Sequence, residues 1–146
     1  MRKTALFAAI VLAAPAFAEG PVTTTVEGAF DDVKFDVETA ITNAGLVIDS
    51  VNHVGAMLER TKEDVGGTET LFTAADIYTF CSAEVSRMAM EADPMNLQHC
   101  PYGIFVYETP DAPGQVTVGH RAYPGESMGV VTELLGGIIG EALEGY

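Results

Sequence analysis

Two cysteines, Cys81 and Cys100, are the first residues whose type suggests a chemistry. In an oxidising compartment, two cysteines in a small domain usually form a disulfide. Closing a loop of 19 positions would stabilise the fold by about 3 kcal/mol in the chain-entropy account. The alternatives are a thiol redox or sulfur-carrier pair, and a pair of ligands for a bound group. No Cys-x-x-Cys spacing is present to activate one thiol, which argues against the redox or sulfur-carrier role. The sequence therefore favours a structural disulfide and leaves both alternatives open.

Three histidines could bind a ligand, namely His53, His99 and His120. Together with the cysteines they include ligand types that suit copper or haem iron, and the same holds for the methionines Met57, Met88, Met90 and Met95. No Cys-x-x-Cys-His attachment motif and no pair of zinc-type motifs occurs. Most methionines fall on predicted apolar faces, where they are more often core filler. Haem or copper binding is therefore a rival interpretation, and the cofactor stays unassigned.

Arg87 has Glu84 three residues before it and Glu91 four residues after it, which is the spacing of helical ion pairs. This spacing favours a surface salt bridge over an anion-binding role. A pocket is expected in the loop-rich segment around 94–96 and 100–103, because loops held by a rigid sheet often carry function. The candidate ligand or pocket residues are therefore His53, Arg87, His99, Tyr102 and His120. No nucleophile elbow, phosphate loop or dinucleotide fingerprint is present, so no catalytic residue is assigned.

The charge of the chain limits its partners. Among 146 residues there are 7 basic and 21 acidic side chains, which gives a formal charge of −14. A surface with three acids for each base repels phosphate, which argues against nucleic acid and anionic lipid headgroups. The same charge would favour a cationic partner or ligand.

Residues 1–18 have the pattern of a secretory signal peptide. Arg2 and Lys3 precede an apolar run, and Ala16-Phe17-Ala18 supplies the small residues of a cleavage site. The run has roughly 11 residues, whereas about 20 are needed to span a bilayer. Cleavage after Ala18 removes two bases and no acid, which leaves a formal charge of −16 on residues 19–146. We therefore predict a periplasmic or secreted single domain with no stable membrane insertion.

Hydrophobic periodicity predicts alternating strands and helices in the mature chain. The strands are expected at 22–28, 46–54, 76–81, 104–108 and 115–121, and the helices at 30–44, 55–65, 84–90 and 126–143. This order predicts an α+β fold, a two-layer α/β sandwich with a mainly antiparallel sheet and helices on one face. Gly136, Gly137 and Gly140 weaken the last helix by about 1 kcal/mol each, so close packing is expected to offset them.

Several segments together resemble a known family. They run through 26–33, 45–48, 52–55, 80–83, 90–94 and 100–108, the last reading Cys-Pro-Tyr-Gly-Ile-Phe-Val-Tyr-Glu. This pattern resembles the bacterial family of domain of unknown function 302, in its exported, cysteine-containing branch, from about Val22 to about Tyr123. The resemblance implies a compact α+β sandwich, often paired as a homodimer. It implies no established reaction and transfers no catalytic residue.

Taken together, the residues favour an exported, soluble, acidic binding or accessory protein over an enzyme, with a small ligand as a candidate partner. The small residues of the last helix, which permit close approach of another surface, also favour the homodimer. The rival functions are a non-covalent haem or copper protein with His, Met or Cys ligands, and a small thiol redox or sulfur-carrier protein using Cys81 and Cys100.

Overall fold

The computed structural model describes residues 20–146, and the predicted leader at 1–18 lies outside the described residues. The strands are β1 (Val22–Glu27), β2 (Ile48–Asn52), β3 (Ala74–Phe80), β4 (Tyr102–Glu108) and β5 (Gln115–His120). The helices are α1 (Phe30–Asn43), α2 (Val54–Thr61), α3 (Ala83–Ala92) and α4 (Gly129–Ala142). Two 3₁₀ helices, Pro94–His99 and Glu126–Met128, precede β4 and α4.

The five strands form one sheet in the order β1-β5-β4-β3-β2, and every neighbouring pair is antiparallel. The helix α1 joins the two edge strands, so the first strand and the second lie at opposite edges of the sheet. The central pairing is long, since β3 and β4 stay in register from Ala74 opposite Glu108 to Phe80 opposite Tyr102. The predicted α+β sandwich with an antiparallel sheet is therefore confirmed.

The core lies between one face of the sheet and the helices α1, α3 and α4. Alternate residues of a strand point to the same face, and on β3 these are Tyr78 and Phe80, both fully buried. Helix α1 covers them with an apolar stripe that includes Val33 and Val37. Its spacing of three and four residues is the one that places side chains on one side of a helix. Helix α4 packs beside α1 and contributes Leu135.

Two local predictions differ from the structure. An added Cβ at Gly136, Gly137 or Gly140 would meet no atom within 4 Å, so these glycines face solvent and the expected close packing is wrong within this chain. Strand β2 begins only at Ile48, with a register shift before Ser50, because it is an edge strand that only β3 supports. In the described part of the chain, no helix is both long and apolar enough to cross a membrane.

The opposite face of the sheet has a close contact between three strands. Gly119 on β5 pairs with Phe105 on β4 and with Thr23 on β1. A Cβ at Gly119 would lie 2.5 Å from the carbonyl oxygen of Val22 and 2.7 Å from Cζ of Phe105. The Phe105 ring therefore occupies the space that a side chain at Gly119 would need.

Candidate functional site

The two cysteines meet at one end of the sheet. Cys81 follows β3 and Cys100 lies just before β4, and the antiparallel pair Phe80–Tyr102 holds the two backbones together. Their Sγ atoms are 2.6 Å apart, and Cys81 is exposed. In the dithiol form, partial burial of the sulfur and then its hydrogen bond with Cys100 raise the pKa of Cys81 to about 11. A thiol with such a pKa is protonated at neutral pH and is a weak nucleophile.

Three predicted ligand residues gather near these cysteines around a buried tyrosine. The ring of Tyr123 lies 5.7 Å from that of His99, 6.0 Å from that of Tyr102 and 6.0 Å from that of His120, measured between centroids. His120 is 1% exposed, and its Nδ1 donates to the carbonyl oxygen of Arg121 at 2.7 Å. These contacts are those of packed aromatic side chains, so Tyr102 and His120 are held in the core at this end and His99 is half-buried at its edge.

Arg87 forms the ion pair that its spacing predicts. Its Nε donates to Oε1 of Glu91 at 2.8 Å, and both side chains are mostly exposed on α3. An exposed pair of this kind contributes little to stability.

The methionines and the possible metal ligands are dispersed. The interpretation of Met57, Met88 and Met95 as core filler is wrong, because all three are exposed, whereas Met128 is buried. Between residues 20 and 146, no group of three or more His, Cys, Asp or Glu side chains is placed to hold a metal ion.

The best-defined candidate site lies at the other end of the sheet. It is a groove of about 550 Å³ between α1, α2 and the beginning of β3, which we call the Asp76 groove. Its lining includes Phe30, Lys34, His53, Ala56, Phe72 and Asp76. The loop-rich segment at 94–103, where the sequence predicts a pocket, lies at the opposite end.

A glycine determines how closely α2 approaches the sheet. Gly55, in the first turn of α2, is buried, and an added Cβ would lie 2.7 Å from the backbone nitrogen of Ala75. Only a residue without a side chain allows the helix to lie directly against β3. His53 immediately precedes this helix, so the close contact holds its ring over β3 and next to Asp76.

Asp76 and His53 form a short, oriented pair. Asp76 is on the same face of β3 as Tyr78 and is 6% exposed, and its Oδ1 lies 2.8 Å from Nδ1 of His53. An ionised carboxylate only accepts hydrogen bonds, so Nδ1 carries the proton and donates to it. In the neutral ring this leaves Nε2 with a free lone pair. The His53 side chain is 62% exposed, so the pair joins a buried carboxylate to an accessible imidazole.

Lys34 of α1 brings a positive charge over the same carboxylate. Its Nζ lies 3.7 Å from Oδ2 of Asp76 and 3.6 Å from Oδ1 of Asp31, and it is 5.8 Å from the centroid of the Phe30 ring. Both ion-pair distances are longer than a charge-assisted hydrogen bond. Lys34 therefore offsets the negative charge of Asp76 and Asp31 without donating a direct hydrogen bond to either carboxylate.

Two further carboxylates at the groove already accept hydrogen bonds from neighbouring groups. Glu59 accepts hydrogen bonds from Lys62 at 2.7 Å and from Thr70 at 3.0 Å, and these two bonds lower its pKa. Glu108 accepts from the backbone nitrogen of Gly114 at 3.1 Å. Asp31 also lines the groove but is 88% exposed, so Asp76 is the buried carboxylate of the groove, and its Oδ2 accepts no hydrogen bond from the described residues.

Sequence patterns single out His53 but not Asp76 or Lys34, the two charged residues that line the groove with it. The available signal is a lone aspartate on the face of a strand that otherwise carries Tyr78 and Phe80. Such a position is expected to be buried and needs a charged or hydrogen-bonding partner. Which residue supplies that partner depends on the way α1 and α2 cross the sheet.

Comparisons with known proteins give the family and the fold. The sequence matches the family described as "Domain of unknown function DUF302" over residues 22–133. The structure is similar to the crystal structure of an uncharacterized conserved DUF302 protein from Bacillus stearothermophilus, with a TM-score of 0.57 and 15% identity, covering 87% of this chain and 90% of that one. The comparison with curated proteins finds no match. The family match spans well over half of the chain, so this protein belongs to the DUF302 family.

Proposed function

We propose that this protein is an exported binding or accessory protein and that the Asp76 groove is its small-ligand site. The observation that carries this proposal is the pair formed by buried Asp76 and exposed His53 at the wall of a 550 Å³ groove. Ligand sites in proteins are concave and combine apolar walls with a few oriented polar groups. Here Phe30 and Phe72 supply the apolar surface.

The size and polarity of the groove support a binding role. A volume of about 550 Å³ lies within the range of small-molecule pockets, which is about 300–1,000 Å³. A buried carboxylate with a fixed imidazole partner provides orientation, because both a donor site and an acceptor site are held in place by the fold. No nucleophile lies in hydrogen-bond contact with His53, and its only side-chain partner among the described residues is Asp76. Binding is therefore the chemistry that the contacts favour.

A blocking substitution tests the proposal. Ala56 is exposed on α2 and lines the groove, so Ala56→Trp would fill it without disturbing the core. The matched control is Ala83→Trp, which places the same side chain on an exposed position of α3. In a ligand-observed NMR screen of small fragments, we expect hits on the wild type and on Ala83→Trp that are lost on Ala56→Trp. Hits that all survive the Ala56→Trp substitution would contradict the proposal.

Export and the disulfide belong to the same proposal. The basic start, the apolar run and Ala16-Phe17-Ala18 support cleavage of residues 1–18. The 2.6 Å approach of the Cys81 and Cys100 sulfurs supports a disulfide in an oxidising compartment and membership of the cysteine-containing branch of the family. The mass of the product from a periplasmic fraction is expected to correspond to residues 19–146 with two hydrogens missing. A full-length product in the cytosol with two free thiols would reject both parts.

We also propose a homodimer. The exposed glycines of α4, Gly136, Gly137 and Gly140, leave space for a second surface to approach the helix closely. Sedimentation at micromolar concentration is expected to give about twice the mass of the mature chain. A single species of monomer mass would reject the dimer and would leave the groove proposal unaffected.

A further inference from the structure

One carboxylate oxygen in the Asp76 groove has an ionic partner but no hydrogen-bond donor among the described residues. Oδ2 of Asp76 has Lys34 at 3.7 Å as its ionic partner and receives no hydrogen bond from the described residues. The other oxygen, Oδ1, is satisfied by His53 at 2.8 Å. Asp76 as a whole is 6% exposed, and Oδ2 is its part that opens to the groove, so a charged donor entering the groove could reach this oxygen at hydrogen-bond distance.

A second group beside Asp76 is also unsatisfied. Tyr78 lies two residues further along the same face of β3, is fully buried, and its hydroxyl has no hydrogen-bond partner. Burial raises the pKa of Tyr78, and the carboxylates of Glu38, Asp76 and Asp31 raise it further, so this hydroxyl is close to the same negative charges. Tyr78 does not line the groove, so its hydroxyl is a buried polar group beside Asp76 and not a contact for a ligand.

The walls of the groove suit a cation that carries an apolar group. Lys34 already places its ammonium 5.8 Å from the centroid of the Phe30 ring, within the range of a cation–π contact. Phe72 provides a second aromatic surface in the lining. The strong negative charge of the whole chain attracts cations and repels anions.

We propose that the ligand of the Asp76 groove is a small organic cation, an amine joined to an apolar group, whose ammonium donates to Asp76 Oδ2 and takes the position now held by Lys34. This inference rests on the proposed binding function and adds the chemical class of the ligand. Lys34 is then an internal competitor, since it is half-buried, loosely paired and able to swing toward solvent on its long side chain.

Calorimetry with three probes of similar shape tests the class of ligand. The probes are 2-phenylethylammonium, 2-phenylethanol and 3-phenylpropionate, titrated into the mature protein at low salt. We expect the ammonium probe to bind at least about tenfold more tightly than the alcohol, as for hydrogen bonds to charged groups, and the carboxylate to bind most weakly. If the alcohol or the carboxylate binds as tightly as the ammonium, and Ala56→Trp abolishes that binding, the cation inference fails while the groove stands. If no probe binds, or if Ala56→Trp leaves all binding intact, the proposed function fails as well.

Two substitutions test the geometry. Asp76→Asn is expected to weaken binding of the ammonium probe by about tenfold or more and to weaken binding of the alcohol by a clearly smaller factor. Lys34→Met, at a half-buried position that tolerates change, is expected to tighten the ammonium probe by about twofold to fivefold because it removes the competitor. The matched control is Asp111→Asn, which removes an exposed carboxylate from the β4–β5 turn. Weaker binding of the ammonium probe to Lys34→Met would overturn the inference even if Asp76→Asn does not fold.

Discussion

Gly119 is the position at which a single methyl group is expected to damage the sheet most. An alanine Cβ there would lie 2.5 Å from the Val22 carbonyl oxygen, 2.7 Å from Cζ of Phe105 and 2.8 Å from Cγ2 of Thr23. Two of these atoms belong to β1, and one of them is backbone, so the edge strand itself must move. Overpacking of this kind costs about 1–3 kcal/mol, and we expect Gly119→Ala to lower the free energy of unfolding by about 2 kcal/mol.

Gly103 provides the matched control on the neighbouring strand. It is buried on β4, but an added Cβ would lie 3.6 Å from the nearest atom, the carbonyl oxygen of Tyr78. That distance is ordinary van der Waals contact, and alanine restricts the unfolded chain more than glycine does. Gly103→Ala is therefore expected to be neutral or to stabilise the fold by up to about 1 kcal/mol.

Urea unfolding followed by circular dichroism measures both effects. With a slope of about 2 kcal/mol per molar urea, Gly119→Ala is expected to lower the midpoint by about 1 M, while Gly103→Ala leaves it unchanged or raises it. A Gly119→Ala variant as stable as Gly103→Ala would refute the close packing of β1, β5 and Phe105.

Three further predictions concern residues outside the groove. After reduction, the pKa of Cys81 is raised to about 11, which leaves about a hundredfold less thiolate at pH 8 than an ordinary cysteine has. Alkylation of Cys81 should therefore be slow at pH 8 and accelerate toward pH 11. Alkylation of Cys81 at the rate of a free cysteine would contradict this. Arg87→Ala is expected to change the unfolding free energy by less than about 0.5 kcal/mol, and a larger loss in urea unfolding would show that the Glu91 pair does more than its exposure suggests. Burial and then the hydrogen bond to Asp36 raise the pKa of Tyr146 to about 12, so the stability contributed by this hydrogen bond is present below pH 10 and fades between pH 10 and 12. In an ultraviolet difference titration of the wild type against Tyr146→Phe, the missing ionisation is expected near pH 12, and a missing ionisation near pH 10 would contradict the assignment.

Local patterns predict most of the fold. The apolar stripe of α1, Ser82 as the N-cap of α3 and the turn between β4 and β5 are each encoded within a few neighbouring residues. Ser82 Oγ accepts from the backbone nitrogen of Val85 at 3.2 Å, as an N-cap does. The beginning of β2 is less predictable, because Leu46 and Val47 look like strand residues while the sheet edge pairs only from Ile48.

The site depends on long-range contacts, and this is why the sequence shows only part of it. His53 and Asp76 are 23 residues apart, and their contact depends on the absence of a side chain at Gly55. Lys34 reaches the same carboxylate from α1, at a position where its spacing suggests only a pair with Asp31. Periodicity reports which face of an element is buried but not which elements cross at a given residue.

A crystal structure of the mature protein soaked with 2-phenylethylammonium tests directly whether the Asp76 groove binds an organic cation. We expect the ammonium within hydrogen-bond distance of Asp76 Oδ2, the phenyl ring between Phe30 and Phe72, and Lys34 turned toward solvent. Density for the probe only at another surface, with Lys34 still beside Asp76 and the groove empty, would contradict cation binding in the Asp76 groove.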